Sequence, residues 1–161
     1  MRRVMQMMVA AVFVLAAVGT AQAQVVRFTA NLSGNQEVPA VLTGAFGTAT
    51  VSMDLGTGTL SWTIDVFNMP SGTNNAHFHV GGPGVAGPTV VNIAFPAQIS
   101  NDYNLSGNAT AANLNSPGGR DQGIRSWDDF IQSLLGGQIY INVHSNVNGG
   151  GEIRGQVIRV P

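Results

Sequence analysis

Thr48-Ala49-Thr50-Val51-Ser52-Met53-Asp54, then Leu55-Gly56-Thr57-Gly58, then Thr59-Leu60-Ser61-Trp62-Thr63-Ile64-Asp65-Val66-Phe67: this stretch decides the fold. Ala49, Val51 and Met53 fall on one side of the first segment, against Thr48, Thr50, Ser52 and Asp54 on the other. In the second, Leu60, Trp62, Ile64 and Val66 oppose Thr59, Ser61, Thr63 and Asp65. A strand turns successive side chains to opposite faces, so this period of two gives a pair of half-buried antiparallel strands. Asp54–Gly58 between them supplies the hairpin loop.

Outward from the hairpin, further strands are expected at Val25–Leu32, Asn75–Val80, Thr89–Ala94, Gln138–Ser145 and Ile153–Val160, each bounded by Gly or Pro. The fold class is therefore all-β: a Greek-key sandwich or barrel of about seven or eight antiparallel strands. One segment departs from period two. Trp127, Phe130, Ile131, Leu134 and Leu135 lie at helical spacing after Ser126 as N-cap, with Asp128 and Asp129 in the first turn and Gly136-Gly137 as the stop. This short helix near 126–135 would cover an open end or edge of the sheet. The run Pro96–Arg125 is rich in Asn, Gly and Ala with weak periodicity, and reads as a long connection, functional or mobile.

At the N-terminus, Arg2 and Arg3 precede an uncharged apolar run, Val4–Val18, that ends at Ala21-Gln22-Ala23. The run is too short to cross a bilayer, and a small-x-small site follows it, so residues 1–23 are expected to be a secretory signal peptide and 24–161 one domain with no membrane span. The remainder carries five arginines against eight acidic residues, a formal charge of −3, which argues against a nucleic-acid partner. With 44% hydrophobic and 9% charged residues the chain is too apolar for disorder and too polar for a multi-span membrane protein. The absence of cysteine excludes disulfides, thiolate metal sites and a cysteine nucleophile. Export of such a chain points to a bacterial periplasmic or secreted protein.

The three histidines occur as His77-Phe78-His79 and Asn142-Val143-His144. If Ala76, Phe78 and Val80 take the core, His77 and His79 share the opposite face. The same parity, with Ile139, Ile141 and Val143 inward, turns His144 outward beside Tyr140 and Asn142. Should these strands be neighbours, three imidazoles converge into a ligand set suited to copper or zinc with an open coordination position. The competing reading has His77 and His79 hydrogen-bonded to the following Gly-rich loop, and His144 to a backbone carbonyl or to Glu152. Other chemistry has less support. Gly81–Pro88 contains no Lys and opens no helix, so it is not a phosphate loop. Ser145 lacks a nucleophile elbow, and no catalytic residues are assigned. Glu152 and Arg154, two apart on one strand, share a face and are placed to bond to neighbouring strands or to Asn35-Gln36-Glu37, a structural role.

Leu32-Ser33-Gly34-Asn35-Gln36-Glu37-Val38-Pro39, Ala76-His77-Phe78-His79, Gly87-Pro88-Thr89-Val90-Val91, and Tyr140-Ile141-Asn142-Val143-His144 with Gly150-Gly151-Glu152-Ile153-Arg154-Gly155-Gln156 together resemble the CHRD domain, named after chordin and common in secreted bacterial proteins. The resemblance covers nearly all of 24–161. It implies a secreted β-sandwich module with a protein or extracellular-matrix partner and brings no catalytic residues. The chain departs from the commoner pattern at Phe78, where Ile is usual, at Ser145, where Thr is frequent, and at Asn148, near a frequent Pro. Chordin's growth-factor binding is not carried over, since chordin also has cysteine-rich repeats. A looser similarity is to the copper/zinc superoxide dismutase barrel, in which His-x-His and Val-His strands supply copper ligands. No bridging histidine, cysteine pair or zinc cluster accompanies it here. The sequence thus points to a CHRD-type binding module of undefined ligand, with a transition metal at His77, His79 and His144. A copper- or zinc-dependent redox enzyme is the alternative.

Overall fold

The computed structural model describes residues 24–70, 72–95 and 100–161; the expected signal peptide lies outside them. Nine antiparallel strands form one curled, nearly closed sheet. They are β1 (Val25–Ser33), β2 (Phe46–Asp54), β3 (Thr59–Phe67), β4 (Thr73–Val80), β5 (Thr89–Asn92), β6 (Tyr103–Ala109), β7 (Ile139–Ser145), β8 (Ile153–Gln156) and β9 (Ile158–Arg159). Two helices are interposed before β7, α1 (Ser116–Gly119) and α2 (Trp127–Leu135). No helix among the described residues is long and apolar enough to cross a membrane.

The strand order is β5-β4-β7-β8-β1-β2-β3-β6, with β9 pairing β1. The hairpin read from the sequence is its most regular part: β2 and β3 pair from Phe46↔Phe67 to Asp54↔Thr59, and β1 pairs β2 over nine residues. Their inward residues, from Val26 and Phe28 through Val51 and Met53 to Leu60 and Ile64, are buried. The sheet folds back on itself, so that Trp62 of β3 meets Phe78 of β4 edge to face, ring centroids 5.3 Å apart, although four strands separate them in the order. A hydrogen bond between Thr73 and Tyr103 ties β4 to β6 along the seam.

Three expectations require correction. The segment Ile153–Val160 is not one strand. Val157 drops out of the ladder and donates its N–H to Ile139 O (2.9 Å), so β8 lies between β7 and the end of β1 at Ser33, while β9 pairs with β1 alone, at Phe28 and Thr29. This break is the corner at which the chain passes from one half of the sheet to the other. Nor is 96–125 merely a connection: Tyr103–Ala109 extends the sheet as β6, in register with β3. Its period was hidden by Gly107, which stands where an apolar side chain is expected. A Cβ there would lie 2.8 Å from Trp62 Cζ2, because the indole already fills that space. Finally, Thr89–Ala94 is ladder only to Asn92.

Helix α2 follows its sequence signals. Ser126 Oγ accepts from Asp129 N (3.1 Å), and Asp129 Oδ2 accepts from Ser126 N (2.9 Å), a reciprocal capping box. Trp127, Phe130, Ile131 and Leu134 are buried against the sheet, and Trp127 Nε1 donates to Gly58 O (2.7 Å), fastening the helix to the β2–β3 turn. Phe130→Ala is expected to lower the unfolding free energy by about 3–5 kcal/mol, and Ser126→Ala by about 1 kcal/mol, in denaturant titrations.

Candidate metal centre

β7 is buried along its whole length, on both faces. Ile139, Ile141 and Val143 enter the apolar core, while Tyr140, Asn142 and His144 belong to a second, polar layer on the other side. Register builds that layer. β4 and β7 are direct neighbours, with His77 opposite Asn142, His79 opposite Tyr140 and Asn75 opposite His144. β8 lies on the other flank, with Arg154 opposite Asn142 and Gln156 opposite Tyr140. The parity reading therefore gave the correct side for all three histidines, but that side is not open to solvent. His79 and His144 are 8% and 7% exposed, and His77 is half-buried.

Loops close this layer, and their carbonyls fix the imidazoles. His79 Nδ1 lies 2.9 Å from Gly87 O and His144 Nδ1 lies 3.0 Å from Gly149 O. A carbonyl only accepts, so both rings carry their proton on Nδ1 and keep the Nε2 lone pair. His77 Nδ1 is 3.1 Å from His144 Nε2, which makes it the donor in the metal-free protein. Thr89 Oγ1 sits 3.5 Å from His79 Nε2. One ligand atom from each of the three rings falls within a span of 4.8 Å. Metal–nitrogen bonds of ~2.0 Å at tetrahedral angles require mutual distances of ~3.3 Å, so side-chain rotations of roughly an ångström close the set. The loop bonds and metal binding are thus compatible at His79 and His144, whose Nδ1 atoms the carbonyls take and whose Nε2 atoms serve an ion once His77 releases its bond to His144 Nε2.

Burial keeps these rings uncharged. His77 is held down at about 4 by burial, then by His144 and His79 beside it. His79 is likewise held at about 4 by burial, with the Gly87 hydrogen bond opposing. His144 is lowered by burial, against the Gly149 hydrogen bond. Neutral imidazole is the form that binds a metal ion.

Glu152, fully buried, does not meet His144 directly. Burial raises its carboxyl, yet hydrogen bonds from Asn148, Thr43 and Ser145 outweigh that and hold it below the usual range. Its Oε2 accepts from Ser145 Oγ (2.7 Å) and Asn148 Nδ2 (2.5 Å), while Ser145 Oγ accepts from Val147 N and Asn148 N. These bonds pin the 146–151 loop so that Gly149 O faces His144. Arg154 turns its guanidinium over the Tyr140 ring, 3.5 Å from the centroid, and Nη2 donates to Gly82 O (2.8 Å). Tyr140 in turn stacks on His79 with centroids 5.0 Å apart, and its hydroxyl bonds both N and O of Gly87. Glu37, in the loop after β1, accepts from Asn142 Nδ2 at Oε2 (3.3 Å). Burial pushes its carboxyl up to about 7, against the pull of Arg154. The competing sequence reading anticipated the loop bond of His79 and the carbonyl bond of His144, but missed the parts played by Tyr140, Ser145, Asn148 and the Gly82 carbonyl. Only the crowding of glycines in the two loops hinted at them.

The CHRD domain family matches residues 28–157. No curated protein and no solved structure matches the chain.

Two groups of opposite sign set the acid behaviour. Where a folded-state histidine is depressed below its ordinary 6.5, the unfolded chain binds protons first, so stability is lost as pH falls from about 6.5 toward about 4. Glu37 acts the other way: raised to about 7, it takes its proton before the unfolded chain does, and adds stability between about pH 7 and 4.5. Urea unfolding in the presence of a chelator should therefore show stability falling below pH 6.5, and falling more steeply in Glu37→Gln. A parallel pH profile for the two proteins would contradict this assignment. Gly151→Ala should destabilise at every pH, because φ is +140° there and a Cβ would lie 2.6 Å from the Asn142 amide.

Proposed function

The chain belongs to the CHRD domain family, and from that premise we propose a secreted, non-enzymatic binding module whose His77, His79 and His144 hold one copper or zinc ion. Residues 1–23 act as the signal peptide and 24–161 as the module, working in the periplasm or outside the cell with a protein or extracellular-matrix partner. One observation carries the metal reading: three imidazoles, uncharged at neutral pH, converge within 4.8 Å, two of them with the tautomer fixed by a loop carbonyl. His77 is the most exposed of the three and marks the side from which an ion enters. Bound there, the ion would offer a Lewis-acidic point on this polar layer. Glu152, Ser145 and Asn148 orient His144 through Gly149, and Arg154 and Tyr140 orient His79 through the 81–88 loop.

A binding module is preferred over the dismutase-like redox enzyme because all three histidines of the chain enter the one cluster, leaving none to bridge to a second ion. Arg154, Glu37 and Glu152 are engaged around the trio as supports, and none supplies a ligand atom to it.

Calorimetric titration of Cu(II) and Zn(II) into tag-free protein is expected to give one equivalent per chain. His77→Ala, His79→Ala and His144→Ala should each lower affinity by at least about tenfold, while thermal melts show all three variants still folded. Because His77 and His79 stay neutral well below 6.5 and His144 is lowered in the same direction by burial, binding should persist at pH 5.5. Wild-type affinity no better than that of His144→Ala would overturn the shared site.

A further inference from the structure

The sheet has a second outer face, on β1, β2, β3 and β6, which no loop among the described residues covers. Along one row across the four strands stand Thr29, Thr50, Thr63 and Ser106, all exposed. The next row toward the far end holds Asn31, Thr48, Asp65 and Asn104, and Asp65 Oδ1 accepts from Asn104 Nδ2 (2.8 Å). Beyond it, on the same face, Phe46 and Phe67 lie opposite one another with rings stacked at 5.1 Å and remain 46% and 36% exposed. On the other side of the threonine row, Arg27, Ser52 and Ser61 complete the walls of a trough of about 500 Å³, closed at one edge by Val160.

We propose that this face binds a neutral polysaccharide. The side chains are short hydroxyls and amides, which donate and accept alike and so suit sugar hydroxyls. Within a row, neighbouring residues stand at the strand spacing of ~4.8 Å, close to the length of one sugar unit in an extended chain, so a chain lying along a row can place one sugar on each strand. The exposed, stacked phenylalanines offer an apolar platform beside the rows, of the kind the C–H face of a pyranose packs against. Charge complementarity selects the same partner. Within the three polar rows Arg27 is the one cation and Asp65 the one acid, and Asp65 is already engaged by Asn104, so nothing here attracts a polyanion or polycation. A solitary exposed phenylalanine would need no explanation; a stacked pair on the same face as rows of hydroxyls and amides is an amphipathic surface of defined chemistry.

The site is independent of the histidine cluster, which lies on the opposite half of the sheet, and the experiment keeps them apart. Affinity electrophoresis is run through gels containing hydroxyethyl cellulose, xylan or dextran, with heparin as the polyanionic control. At least one neutral polysaccharide should retard the wild type and His144→Ala equally. The double variant Phe46→Ala/Phe67→Ala and the variant Thr50→Val/Thr63→Val should each lose about tenfold in affinity, with circular dichroism and melting confirming that they fold. Failure of all three neutral gels to retard the wild type would overturn the proposal. So would retardation by heparin alone, equal retardation of wild type and variants, or a wild-type dimer in sedimentation that the phenylalanine variant abolishes without any glycan binding.

Discussion

Everything on the histidine side of the molecule follows from the burial of both faces of β7. One face is apolar and packs for the usual reason. The other presents Tyr140, Asn142 and His144, and a buried polar group without a partner costs about 1–3 kcal/mol. Water cannot serve them, so the connections must. The 81–88 and 146–151 segments therefore fold over the layer and deliver carbonyls to it, Gly87 to His79 and Tyr140, Gly149 to His144 and Gly82 to Arg154, while the 34–45 segment brings the Glu37 carboxylate to Asn142. Glycine occurs where the loop must lie close to the layer, as at Gly151, whose missing side chain leaves room for Asn142 and Glu37.

The same demand fixes the protonation of the site. Three charged imidazoles packed with ring centroids 5.0 to 6.0 Å apart would repel one another and lose their hydration, so burial drives them neutral. Once neutral, each ring has one donor and one acceptor, and the carbonyl locks spend the donors of His79 and His144. What is left is the Nε2 lone pair of each, that of His144 accepting from His77 Nδ1 in the metal-free protein. Stability and metal affinity thus ask for the same arrangement of His79 and His144, and His77 alone must exchange its proton for the ion.

Period two made β1, β2 and β3 legible because one face of each meets the core and the other meets solvent. In β7 the same alternation gave the correct facing but the wrong exposure: burial of a polar face by loops leaves no periodic mark. β6 was obscured because its inward sequence, Tyr103, Leu105, Gly107, Ala109, gives up bulk to Trp62. The corner at Val157 did leave a trace. Ile153, Gly155 and Val157 are inward at odd positions, whereas apolar residues continue at the even positions Ile158 and Val160, and that slip of phase marks the change of pairing from β7 to β1. Convergence of His77, His79 and His144 was readable conditionally, since parity fixed their face while adjacency of β4 and β7 depended on topology. Carbonyl partners for His79 and His144 were foreseen in kind as the competing reading, but which carbonyls was not readable, because backbone atoms are common to every residue.

The two outer faces differ for a reason that lies in the connections. β2 and β3 are joined by a tight turn, and their outward residues are short hydroxyl side chains that water satisfies directly, so that face needs no cover. Three connections, Gly34–Ala45 leaving β1, Gly81–Pro88 and Asn146–Glu152, lie over the other half, where the outward residues are rings, amides and charges. Glu37, Val38, Pro39 and Val41 of the first meet Asn148, Gly150 and Gly151 of the last around a cavity of about 210 Å³. A loop that encloses polar groups must be specified residue by residue, because each donor and acceptor beneath it has to be answered. A bare hydroxyl face carries no such obligation. Sequence constraint therefore gathers on the covered half, in the His-x-His strand, the β7 strand and the Gly-Gly-Glu-Ile-Arg-Gly-Gln segment, while the uncovered half is held mainly by the alternation of its strands.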